Sequence, residues 1–169
     1  RYRNLVESSQ DLIESVGPDG RLLFVNRAWL KQLEYTQEDV PALSLWDVIH
    51  PSERDHCRQI FGRLLAGETE IAVQTRFCTR TGQELVVEGT ALGMHENGRL
   101  AYTHTFLRNI TRSVVAEAAR QRAEQRYHRL FEDAPVMYIL TGAKDGIAVV
   151  SDCNMLFLQT LGYTHAEVI

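Results

Sequence analysis

The side chains that could act as nucleophiles or metal ligands are scattered along this chain. Cysteines stand at positions 57, 78 and 153, and no Cys-x-x-Cys pair joins them. Structural zinc needs four Cys or His ligands at short spacings, and no such cluster is present. An odd, sparse cysteine set fits a reducing compartment, with Cys57, Cys78 and Cys153 as small buried apolar side chains. Serine hydrolysis would need a nucleophile elbow, and phosphate binding a Gly-rich loop; neither motif occurs. His128 precedes Pro135 on a helix-like run, but the flanking pattern of a phosphoacceptor histidine is missing. It reads as an exposed linker histidine. The expectation is therefore of no catalytic residues and no metal site, with the chain itself not an enzyme.

What remains is binding. Trp29, Leu33, Trp46, Phe61 and Phe77 are bulky apolar residues, read first as core and second as the lining of a ligand pocket. Tyr102 and His104, on the last strand-like run, would face either a ligand or the wet side of a sheet. The net charge of −4 argues against nucleic acid as a partner, and the Arg-rich run near residues 120–129 is balanced by Glu117, Glu124 and Glu132. No apolar stretch approaches 18 residues, so no membrane span is expected. No apolar signal-peptide core opens the chain, and a cytoplasmic location is expected. The chain opens without Met and reads as a piece of something longer.

The elements that must position these residues follow from periodicity. Residues 1–9 form a short helix with Tyr2, Leu5 and Val6 on one face. Two apolar runs around Gly17-Pro18-Asp19-Gly20 predict a β-hairpin. Asn26 ends its second strand and caps a helix on which Trp29 and Leu33 share a face. Thr36 to Asp39 resembles a capping box opening a short turn that Pro41 cuts into. Pro51, Ser52 and Asp55 mark another helix start. Cys57, Ile60, Phe61, Leu64 and Leu65 form its apolar face, and Gly67 ends it. The period then changes to two. "TEIAVQTRFCTR", "QELVVEGTALGM" and "GRLAYTHTFLRNIT" are strand-like, and the first puts Ile71, Val73 and Phe77 on one face. One dry and one wet face per strand predict an antiparallel sheet covered on one side by helices, an α+β fold with five strands.

Residues 112–129 are again helical, with no Gly or Pro, and would span roughly 27 Å. Their thin seam of Val115, Ala119, Ala123, Tyr127 and Leu130 suits either a solvated connector or a weak coiled coil pairing with its twin. Then the opening phrases return. "RYRNLVESS" is answered by "RYHRLFEDA", and Asp19-Gly20 by Asp145-Gly146. Asn26 is answered by Asn154, and Tyr35-Thr36 by Tyr163-Thr164.

These landmarks in this order, with "IHPSER" at residues 49–54 and the closing "RNITR", resemble the PAS sensor family. The resemblance implies a five-stranded antiparallel sheet with helices packed on one face, followed by a connecting helix. The expected organisation is a flanking helix (1–9), a PAS sensor domain (10–111), a connecting helix (112–129) and the truncated start of a second PAS domain (130–169). That second copy is expected to be disordered, or to borrow a surface from a neighbouring chain. Some family members hold haem through a histidine, and His50 and His56 lie in the corresponding region. Photosensing members hold flavin beside a reactive Cys in Asn-Cys-Arg-Phe-Leu-Gln, whereas Cys57 sits in "DHCRQIF". No cofactor, neither haem nor flavin, is expected. The family's closing Asp-Ile-Thr is here Asn109-Ile110-Thr111, which keeps hydrogen bonding but loses the charge.

The resemblance implies a sensory and dimerisation module of a larger signalling protein, foremost a sensor histidine kinase of a two-component system. A diguanylate cyclase parent, or a ligand-independent dimerisation scaffold, is the alternative. A homodimer through the flanking or connecting helices and a small-molecule ligand are the expected partners. Asn109, Ile110 and Thr111 are the expected signal-transfer residues between strand and helix.

Overall fold

The computed structural model describes residues 2–169, with side chains described from Leu5 onward. The chain divides into two compact units, 1–114 and 115–169.

The first unit opens with helix α1 (Tyr2–Ser8) and the hairpin β1 (Leu12–Val16) and β2 (Leu22–Val25). On α1, Leu5 is exposed and Val6 half-buried; the side chain of Tyr2 lies outside the described residues. The hairpin turns on Gly20, whose φ of +82° suits a residue without Cβ. A Cβ there would also sit 2.7 Å from Trp46 Nε1, so the glycine admits the indole as well. Asn26 then starts α2 (Arg27–Leu33) by accepting from the Trp29 N–H, and Trp29 and Leu33 are both fully buried.

After α2, Thr36 donates its N–H and hydroxyl to Asp39, as the capping box predicted. Pro41 does not cut the turn that follows. It occupies the second position of a 3-10 turn, Val40–Ala42, where no backbone N–H is needed. Sequence reading missed α3 (Leu45–Val48), a single turn closed by a Ser44–Asp47 capping box. Helix α4 (Arg54–Leu65) is preceded by a 3-10 turn, Pro51–Glu53, capped by His50 rather than by Ser52. Its dry face is Cys57, Ile60, Phe61 and Leu64. Leu65, predicted on that face, is exposed, because it falls one position past the stripe.

Strands β3 (Glu70–Cys78), β4 (Glu84–Glu96) and β5 (Arg99–Asn109) complete a sheet of order β2-β1-β5-β4-β3, antiparallel throughout. β1 thereby sits inside the sheet between β2 and β5, and all five of its residues are buried. The core is built from the helix-facing side: Leu12, Val16, Trp29, Leu33, Val48 and Phe77 among them. This is the α+β fold expected, with a helix after the last strand.

Helix α5 (Thr111–Phe131) carries little apolar surface; Val115, Tyr127 and Leu130 of its predicted seam are exposed. In the second unit, β6 (Ile139–Lys144) and β7 (Ile147–Cys153) form a two-stranded sheet, followed by α6 (Met155–Leu161) and α7 (His165–Val168). Its strands pair from Ile139↔Cys153 to Lys144↔Ile147, and β6 is exposed along its whole length.

Asn26 and Asn154 share a pattern of individual bonds. Asn26 Oδ1 accepts from Ile13 N and Trp29 N, while its Nδ2 donates to the Val6 and Asp11 carbonyls. Asn154 Oδ1 accepts from Tyr138 N and Phe157 N, while its Nδ2 donates to the Phe131 and Val136 carbonyls. Glu7 accepts from Arg27 N as Glu132 accepts from Met155 N. In both places one asparagine ties a preceding helix, the first strand and the following helix together.

Candidate functional site

A small cavity of about 40 Å³ lies between the sheet and the helices of the first unit. Leu45 and Ile49 close it from α3 and the residue after it. Cys57, Ile60, Phe61 and Leu64 line it from α4. The sheet contributes Val73, Thr75 and Phe77 from β3 and Ala91 from β4. Thr103, Thr105 and Leu107 come from β5, and Glu14 from β1. A water needs about 10–15 Å³ of such volume, so the cavity has room for about three.

Of the seven pocket candidates, only Phe61 and Phe77 line this cavity. Trp29 stands one residue removed: its Nε1 donates to Glu14 Oε2 at 2.7 Å. Leu33 is buried in the core. Trp46 backs the cavity wall, edge-to-face with Phe61 at 5.7 Å, and carries the Arg58 guanidinium 5.6 Å from its ring centroid. Tyr102 and His104 are corrected: they do not line the cavity. Strand period puts Thr103, Thr105 and Leu107 toward the helices, so Tyr102, His104 and Phe106 point to the other face. There the His104 ring bonds the Ser15 hydroxyl and meets Phe106 edge-to-face, and burial lowers its pKa.

Four polar residues were not singled out from sequence: Glu14, Thr75, Thr103 and Thr105. Their signal was available, because each occupies a dry-face position in an otherwise apolar alternation. Glu14 is 2% exposed, and burial pushes its carboxyl up to about 7 despite the Trp29 hydrogen bond, which acts the other way. It stands directly opposite Thr105 on the neighbouring strand. Cys57 Sγ lies 3.2 Å from Thr75 Oγ1, and burial raises that thiol's pKa, so it stays protonated and unreactive.

Haem and flavin do not fit this site. His50 and His56 are outside the cavity lining. His50 is engaged through Nδ1 with Ser52 and through Nε2, 3.3 Å from Glu84. The cavity is also far below the roughly 300 Å³ at which pockets for drug-sized ligands and cofactors begin. Among the described residues no group of three or more His, Cys, Asp or Glu is placed to hold a metal ion.

The expected signal-transfer residues form a junction. Asn109 Oδ1 accepts from the Thr111 N–H and hydroxyl, and Asn109 Nδ2 donates to Gln32 Oε1 on α2. Thr111 Oγ1 accepts from Val86 N of β4, and Ile110 N donates to the Val86 carbonyl. The first turn of α5 is therefore bonded to β4, β5 and, through Asn109, α2.

A helix-covered antiparallel sheet with an interior cavity, its last strand running straight into a long helix, defines a sensory-domain architecture. A family model described as PAS fold matches residues 1–106, and the chain belongs to that family of sensory modules. Solved structures share the fold. The PAS domain of an HTR-like protein from Haloarcula marismortui is 22% identical, with a TM-score of 0.56, over 65% of this chain and 89% of that one. A sensory box histidine kinase/response regulator from Burkholderia thailandensis is 17% identical, with a TM-score of 0.60, over 77% of this chain and 99% of that one. A domain of a sensory box sensor histidine kinase/response regulator from Geobacter sulfurreducens is 24% identical, with a TM-score of 0.55, over 64% and 90%. No curated protein matches the chain.

Proposed function

We propose that this PAS domain is the input module of a larger cytoplasmic signalling protein, in which a small molecule or a packing change at the interior cavity alters helix α5. The observation that carries this reading is the continuity of β5. Thr103, Thr105 and Leu107 line the cavity, and two residues further on the same strand enters the Asn109–Thr111 junction with α5. A ligand that favours one arrangement of β5 would bias the rotation or pairing of α5 with its twin in a homodimer. The sparse apolar seam suits this, since two pairings would differ by little energy. The output is read as a sensor histidine kinase, because solved proteins of that description share the fold. The second unit is read as the start of another PAS domain, supported by the Asn154 bonding pattern.

The test has two arms. A thermal-shift screen of the purified chain against small metabolites should find ligands that raise its stability; saturation at 100 times Kd corresponds to about 2.7 kcal/mol. In a longer protein carrying an output domain, Ile110→Asp should uncouple output from the ligand; regulation that persists unchanged would refute the junction's role. A second reading, a ligand-independent dimerisation scaffold, is favoured by the cavity's small volume. Self-association with no thermal response to any compound would select it.

A further inference from the structure

The polar stripe inside the dry face is more than the fold requires. Glu14, Thr103 and Thr105 occupy positions at which an apolar residue would pack the sheet against the helices without any desolvation cost. Glu14 Oε2 accepts from Trp29 Nε1, and Glu14 stands directly opposite Thr105 on the neighbouring strand. All three residues line the cavity. The only other ionisable side chain lining it is Cys57, held by Thr75 and neutral. No Lys, Arg or His lines it from any element packed around Glu14. An ionised Glu14 would therefore be a buried anion with no protein counter-charge.

We propose that the cavity is a binding site for a compact protonated primary amine, with its ammonium on the Glu14 carboxylate and the Thr103 and Thr105 hydroxyls. The inference rests on the cavity being the sensory pocket and assigns its ligand class. An ammonium group offers three donors and no acceptor, and one carboxylate and two hydroxyl oxygens on the cavity wall can all accept from it. Phe61, Phe77 and Leu107 receive the short aliphatic tail. The volume, with room for about three heavy atoms in all, limits that tail to about two carbons. Binding needs no covalent step: the amine arrives as a cation, and a protonated Glu14 releases its proton to solvent as the pair forms.

The chain has two tryptophans, so the indole N–H resonance of Trp29 is readily assigned by substitution and reports directly on its Glu14 partner. The full chain is titrated with ethylamine, and with ethanol as a neutral molecule of similar size. The expected result at pH 8 is saturable movement of the Trp29 indole signal by the amine, with at least tenfold tighter binding than the alcohol. Because burial pushes Glu14 to about 7, its ionised fraction falls about tenfold between pH 8 and pH 6, and amine affinity should fall by the same factor. Glu14→Gln, whose amide oxygen can still accept from Trp29, should remove both the amine preference and the pH dependence. Equal binding of amine and alcohol, or a preference that survives Glu14→Gln in a folded protein, overturns the assignment. So does an absence of amine binding to the wild-type chain. In that event, a thermal shift produced by uncharged metabolites would leave the sensory-pocket reading standing, and no shift from any compound would remove it as well.

Discussion

Glu14 shows how one residue can trade stability for a site. Its carboxyl is fully buried, meets one donor, and faces no cation. The folded state raises its pKa from 4.5 to about 7, so between these values the folded chain holds a proton that the unfolded chain has released. Stability contributed by this group is therefore intact below pH 4.5 and lost as pH rises to about 7, a change on the order of 3 kcal/mol. Glu14→Gln should accordingly be more stable than the wild type at pH 8, with the difference shrinking toward pH 5. Urea denaturation at the two pH values measures this, and a stability gap independent of pH would contradict it. Another local conflict lies at Glu34, a non-glycine residue at φ 64° that ends α2. Its carboxylate accepts from the N–H and hydroxyl of Thr81 in the β3–β4 turn, which compensates for the left-handed backbone.

At the scale of elements, β4 and β5 form the longest pairing and carry the connection from cavity to α5. Gly89 in β4 is necessary to that pairing for a steric reason. A Cβ there would lie 1.8 Å from the Phe106 carbonyl oxygen, a backbone atom that no rotamer change can move. Gly89→Ala should therefore cost about 3 kcal/mol or more through forced separation of the two strands. Chemical denaturation would show it as a lowered midpoint, and a loss below about 1 kcal/mol would mean the strands reseat without strain. The hairpin, the Asn-capped α2 and the three period-two strands were all legible in sequence, because alternation and capping are local. The single turn of α3 was not, since four residues carry too little periodicity to register. Leu65 and Pro41 were misread for a related reason: a one-residue difference in phase or position decides between buried and exposed, or between breaking a turn and starting one.

The whole molecule consists of two units of unequal size. The first has five strands and a buried core, whereas the second has two strands, one of them exposed throughout. A two-stranded sheet is marginal by itself. Native-state hydrogen exchange should show amides of β6 and β7 opening at free energies well below those of β1 and β5. Equal protection would mean the second unit gains stability from a source beyond its own hairpin. The sequence by itself determined the element types, the antiparallel sheet dry on one side, the recurrence of an Asn-centred motif and the kinship with PAS sensors. Each of these is written in neighbouring residues or in repeated phrases. Only the tertiary structure decided where the site is. The strand order brings β1 against β5, sets Glu14 opposite Thr105, and turns Tyr102 and His104 to the far face. A cavity is the space that packed side chains leave unfilled, and that remainder depends on register and volume across distant segments rather than on any local pattern.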